Sequence, residues 1–210
     1  MTFSTLGTMA SYVPKQGVTG TVDLSTATVV KGAGMDLITP TSVAGSGVTL
    51  SGGQVSFSAA TSVSVNGCFT TAYDSYRIVC FGTASAINLE IQGRLRLSGT
   101  DNSAASSYIW QVVRAISGVV AGVRIATTGW NAVTQSDTDG WSFSLDIHRP
   151  ALAEQTVATG LGIGTNAVAN DYVMAYGLRH NVATAFDGIT FFPNGGNISG
   201  KLRVYGLRNS

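Results

Sequence analysis

The stretch Val63–Leu97, VSVNGCFTTAYDSYRIVCFGTASAINLEIQGRLRL, decides the fold class. Within it Ile87, Leu89, Ile91, Leu95 and Leu97 share one parity, and Asn88, Glu90, Gln92, Arg94 and Arg96 share the other. Side chains of a strand point alternately to opposite faces, so 87–97 reads as one long strand with a dry side and a wet side. A helix would scatter the same residues around its circumference, and Gly93 would weaken it. Tyr76–Phe81 reads as a second strand, joined to the first by the turn-forming Gly82–Ala86. An antiparallel pair with one dry face has to be covered by another sheet, so the chain is expected to be an all-β sandwich.

Outward from this stretch, strands are expected near 55–58, 62–66, 76–82, 87–97, 107–115, 121–126, 141–147, 156–163, 171–179, 189–192 and 198–207. Turns rich in Gly, Asn or Asp separate them at the spacing of a sandwich. Trp141, Phe143, Leu145 and Ile147 alternate with Ser142, Ser144, Asp146 and His148, and Pro150 ends that strand because proline cannot donate to a ladder. The last strand carries Lys201, Arg203 and Tyr205 on one side. No periodic helix of useful length is visible. Gly160-Leu161-Gly162-Ile163-Gly164 lacks the strand–helix context of a dinucleotide fingerprint, and reads as glycines that let strands bend or pack closely. The expectation is an antiparallel, jelly-roll-like β-sandwich over residues 51–210. Residues 1–50 read as a short extended N-terminal attachment and oligomerisation segment. No charge occurs from Leu37 to Tyr73, and the segment is too rich in Val and Thr for a solvated linker.

Composition narrows the partners. The chain has 210 residues, enough for one well-buried core. Only 11% of its residues are charged, less than half the roughly 25% usual in soluble domains. So few charges suit a surface that is buried against copies of itself or a larger assembly. A net charge of +1 gives no basic field, so a nucleic-acid role is not expected. Met1-Thr2-Phe3-Ser4 has neither the basic nor the apolar region of a signal peptide, which implies synthesis and folding in a cytoplasm. The run Ala115–Val123 is too short to insert in a membrane.

Candidate chemistry is sparse. With two Cys and two His, no zinc site and no cofactor are expected. Cys68 and Cys80 read as buried free thiols in a simple hairpin, whereas a loop centred on Asp74 would let them bond. Ser144, Asp146 and His148 share one strand face, but spacings of roughly 6.6 Å make a row rather than a catalytic triad. Glu90 and Glu154 are the only glutamates, which leaves little for a glycosidase pair. Gln135–Gly140 superficially resembles a calcium loop but lacks the later glutamate. No catalytic or metal residue is nominated. The stretch 127–140 reads as the longest polar loop, with Trp130, Asn131 and Gln135 able to stack on and hydrogen-bond a host glycan or protein. The other reading of Trp130 is a plug in the end of the sandwich or in a subunit contact.

Three motifs carry a family likeness. Phe69–Ile78 (FTTAYDSYRI), Leu95–Thr100 (LRLSGT), and Ala183–Thr190 (ATAFDGIT) followed by Ile198–Leu207 (ISGKLRVYGL) resemble tailed-bacteriophage virion proteins of the minor tail, tail-fibre or head-fibre type. The likeness spans about Val55 to Arg208. It implies a non-enzymatic β-sandwich, often trimeric, displayed on the virion and joined to other virion proteins by a variable N-terminal part. A tail component touching the host surface is the leading expectation. A capsid decoration or head-fibre protein is the first alternative, and a glycan-cleaving virion enzyme the second.

Overall fold

The structure is a computed structural model that describes residues 34–136, 138–165 and 171–208. All regular structure among these residues is strand. The N-terminal part holds β1 (Met35–Ile38), β2 (Ser42–Ala44), β3 (Val48–Ser51), β4 (Gln54–Ala60) and β5 (Val63–Asn66). The middle holds β6 (Ser75–Ala84), β7 (Leu89–Leu97), β8 (Thr100–Asp101), β9 (Tyr108–Ile116), β10 (Val119–Thr127) and β11 (Trp130–Ser136). The last third holds β12 (Trp141–His148), β13 (Thr156–Thr165), β14 (Asp171–His180), β15 (Gly188–Pro193) and β16 (Ile198–Leu207).

These strands make two antiparallel sheets. The larger has ten strands in the order β10-β9-β14-β13-β12-β6-β16-β4-β3, with β1 beside β16. The smaller has six in the order β11-β7-β15-β5-β2, with β8 beside β7. The chain is thus an all-β sandwich, as the alternation in Val63–Leu97 implied.

The pairing inside that stretch is different from the expectation. β6 and β7 are not neighbours: β6 lies between β12 and β16 in the large sheet, and β7 between β11 and β15 in the small one. Both strands have a dry face, and placing them in opposite sheets buries Ile78 and Cys80 in the same core as Ile91 and Leu95. A flat hairpin would have left both dry faces on one side, needing a third element to cover them. The C-terminal motif strand β16 pairs with β6 along its whole length, Ile198 opposite Ala84 through Leu207 opposite Ser75.

The sandwich also begins earlier than residue 51. β1 pairs with β16, β2 with β5 and β3 with β4, so residues 35–51 are built into the two sheets. The alternation is weak there because these strands have only three or four residues each. The rest of the expected attachment segment, residues 1–33, lies outside the described residues.

Cys68 and Cys80 are both buried and free, which settles the open question in favour of thiols. Burial pushes both thiols well above their ordinary range, because a thiolate would have no water around it.

The glycine run of β13 has a steric cause. A Cβ on Gly162 would stand 2.5 Å from the Val133 carbonyl oxygen, and one on Gly164 would stand 1.7 Å from that of Gln135. β11 of the small sheet rests directly on this bare strip, and Thr134 Oγ1 donates across the interface to the Ile163 carbonyl at 3.1 Å.

Candidate functional site

The two sheets present unlike outer faces. On the small sheet Arg96 is buried (7% exposed) and donates to Ser64 Oγ at 2.8 Å, Thr190 Oγ1 at 2.6 Å and Asn66 Oδ1 at 2.9 Å. Its remaining partners are Asp101 and the Gly99 carbonyl. Arg94 lies over the Phe192 ring at 4.7 Å and donates to the Thr128 carbonyl at 3.0 Å. This face closes on itself.

The outer face of the large sheet does not. Strand pairing sets Val113, Ala175, Leu161, Ser144 and Val79 side by side in one row across five strands. The next row reads Val120, Ala115, Val173, Ile163, Ser142, Phe81. Val120 (68%), Leu161 (60%) and Val113 (55%) are more than half exposed, and Val173, Ile163, Phe81 and Val79 are exposed too. Together they offer on the order of 600 Å² of contiguous apolar side chain, the upper end for a lone soluble subunit. Lys201 and Arg203 flank the strip on β16.

A trough of about 890 Å³ runs along the same face. Its floor is β14, where Ala175 and Gly177 point outward, and its walls include Ile109 and Val113 on one side and Val157 and Leu161 on the other. Gly177 is not required by packing, since a Cβ there would meet nothing within 4 Å. A glycine in the middle of a strand weakens it, and here it leaves the floor of the trough bare. Arg77 and Asp146 border the trough as a two-pronged ion pair, with Nε to Oδ1 at 2.7 Å and the second amine to Oδ2 at 2.6 Å. The carboxylate raises the guanidinium pKa, and the two opposite charges offset one another at the trough's border.

The residues nominated from sequence fall elsewhere. Trp130 was expected to stack on a ligand, yet it is fully buried, its Nε1 donating to the Arg179 carbonyl at 3.3 Å and its ring meeting Tyr108 edge-on at 5.6 Å. Its burial in the core leaves the indole no face for a ligand. Asn131 and Gln135 are half-buried on the same strand, and Gln135 donates its side-chain amide to Asn88. The three do not form a binding surface. The expected 127–140 loop is in fact mostly β11, an edge strand of the small sheet. Its inward positions include Thr134 and Ser136, small enough to sit over the β13 glycines, and these polar residues hid the strand's alternation. Ser144, Asp146 and His148 form a row on β12: Asp146 is held by Arg77, and His148 Nδ1 lies 2.9 Å from Ser75 Oγ. Among the described residues, no three His, Cys, Asp or Glu side chains come together as a metal site.

The apolar face was missed because its members are scattered over five strands and meet only through pairing. The low charge was the one sequence signal that pointed to it.

No family model matches the chain, and no curated protein matches it. Among solved structures it is similar to a protein of unknown function from Shewanella oneidensis MR-1, at 9% identity, 88% of this chain, 85% of that chain and a TM-score of 0.21. A likeness that weak carries no argument about fold or function.

Proposed function

We propose that the chain is a non-enzymatic structural subunit of a bacteriophage particle, a minor-tail or tail-fibre component that assembles with copies of itself. The observation that carries the assembly is the apolar strip on the outer face of the ten-stranded sheet. An exposed apolar area on the order of 600 Å², with its polar rim, approaches the roughly 800 Å² per partner of a stable interface. The phage assignment is supported by the motif likeness, above all by Ile198–Leu207. That segment is an interior strand of the large sheet, the place where a framework motif belongs. Threefold order is the arrangement this likeness favours. Attachment to other virion proteins and contact with the host surface are parts of the same reading.

Two measurements test it. The purified chain should sediment as an oligomer at micromolar concentration, and Leu161→Asp, which puts a charge at the centre of the strip, should release monomers. A native chain that sediments as a monomer would remove the assembly claim. Density for the subunit in the tail of a reconstructed particle is the expected location, whereas density in the capsid lattice would replace the tail reading with a decoration or head-fibre protein.

A further inference from the structure

The four sheet edges are not treated alike. An unpaired edge is a row of free N–H and C=O groups, and proteins blunt such edges by shortness, bulges, charges or proline. The small sheet ends in β2, three residues long, and in β11, whose register breaks between Trp130 and Thr134. The large sheet ends on one side in β3 and, beside β16, in β1, four residues each. Its other edge among the described residues is β10, which is nine residues long, pairs with β9 without a break and contains no proline. Arg124 is its one charge. Residues of both parities are exposed along it, Val119 at 67% and Val120 at 68%, and only Val123 and Thr127 are half-buried, Val123 against the edge of the core.

Its main-chain groups can be assigned. β9 and β10 are joined by Ser117 and Gly118, both at positive φ (49° and 79°), a two-residue type I′ turn closed by Ile116 and Val119. The closing pair of such a hairpin exchanges both hydrogen bonds, and bonded and non-bonded pairs then alternate. Val119, Ala121, Val123, Ile125 and Thr127 therefore bond inward to β9. Val120, Gly122, Arg124 and Ala126 turn their N–H and C=O groups out from the edge.

We propose that β10 pairs antiparallel with β10 of a second copy of this chain, across a twofold axis at Val123. The occupant is another copy because the strand complements itself. With Val123 opposite Val123, all nine residues pair, and the outward-turned groups meet as Val120 with Ala126 and Gly122 with Arg124. That makes about eight main-chain hydrogen bonds over four such pairs. Val119 then faces Thr127 and Ala121 faces Ile125, so apolar side chains meet apolar or methyl-bearing ones. Each Arg124 lies opposite a glycine and only diagonal to the other arginine, whereas a shift of one residue in the axis would set the two directly opposite. The two ten-stranded sheets become one, and the apolar strip, which already reaches β10 at Val120, runs continuously across the joint.

This inference rests on the proposal that the chain assembles with itself, but it uses a different contact, the edge rather than the face. It holds whether or not the particle is a phage.

The test is a register-specific cross-link in the full chain. A central pair that does not exchange hydrogen bonds has Cα atoms about 4.5 Å apart, within disulfide reach. Val123→Cys should therefore give a covalent dimer as the main species under mild oxidation at micromolar concentration. The native Cys68 and Cys80, both buried, stay silent. Ala121→Cys should not link, because the two copies of that position stand four residues out of register, roughly 13 Å apart. Gly122→Pro added to Val123→Cys should abolish the link with little change in melting temperature, since that N–H makes no bond inside the subunit and edge proline is tolerated. Linking by Val123→Cys that survives Leu161→Asp would show the edge contact standing without the face contact. Failure of Val123→Cys to link in a chain that still assembles would overturn the edge pairing and leave the face reading intact. Equal linking by Ala121→Cys would overturn the register.

Discussion

The outer faces of the two sheets answer the same problem in opposite ways. Both belong to strands whose inner sides fill one core. The small sheet covers its outer side from within: Arg96 sinks among Ser64, Asn66, Thr190 and Asp101, and Arg94 lies flat on Phe192. The large sheet leaves Val79, Phe81, Val113, Val120, Leu161, Ile163 and Val173 open to water. A face that satisfies its own groups needs no partner, while one that exposes apolar rows without charge gains free energy when something covers it. In the proposed assembly, the difference assigns the contact to the outer face of the large sheet.

Four substitutions or titrations break or sharpen that contrast. The largest effect is expected inside the sandwich, at a residue whose sequence context suggested the surface. Trp130→Ala should cost about 4 kcal/mol, because it empties a fully buried indole site. At the usual scaling this is a loss of roughly 10 °C in melting temperature. A melting temperature within a degree of the native value would contradict the burial of Trp130.

Next comes the polar face. Arg96→Met should cost about 3 kcal/mol in denaturant unfolding, since it removes the charge partner of Asp101 and leaves that carboxylate with only the Thr190 hydroxyl as a donor. Replacing Asp101 by Leu in the same chain should recover part of the loss. A near-neutral Arg96→Met would mean that the small sheet's face does not depend on its arginine.

A pH titration probes the core between the faces. His180 is fully buried, edge-on to Tyr108 at 4.8 Å and to Phe186 at 4.9 Å. Desolvation lowers its pKa, and the hydrogen bond to the Val182 carbonyl only partly opposes this. Above its ordinary value of about 6.5 the ring is neutral both folded and unfolded, and the site costs nothing. Below it the unfolded chain takes up a proton that the folded chain resists, so stability should fall as pH drops through the window under that value. Melting temperature measured from neutral to mildly acidic pH should fall less steeply for His180→Gln than for the native chain.

The smallest effect on the subunit itself is expected on the open face. Leu161→Asp should change monomer stability by less than about 0.5 kcal/mol, since the side chain touches mainly water. The same substitution should dissolve the oligomer. If it destabilised the monomer as strongly as Arg96→Met, the strip would be a support of the fold and not a contact surface.

Much of the fold was legible in single strands. The parity of Leu89–Leu95 and Trp141–Ile147 gave strands with the right faces inward, because alternation is a local property of an extended chain, whereas Ile87 and Leu97, at the ends of the expected strand, are exposed and Arg96 is buried. Trp130 was not legible, because β11 packs Thr134 and Ser136 inward against glycines and so reads as a polar loop. The short strands β1, β2 and β3 were absorbed into an expected N-terminal segment, since three or four residues are too few to show a period.

What the amino-acid sequence determined by itself was the all-β class, the inward residues of its long strands and a surface poor in charge, all consequences of local alternation and composition. What only the tertiary structure decided was which strands became neighbours. It put β6 and β7 in opposite sheets, brought Val113, Leu161 and Val79 from three different strands into one row, and left β10 as the long edge among the described residues. Pairing partners are chosen by how dry faces cover one another across the core, a many-body condition that no single stretch of chain contains.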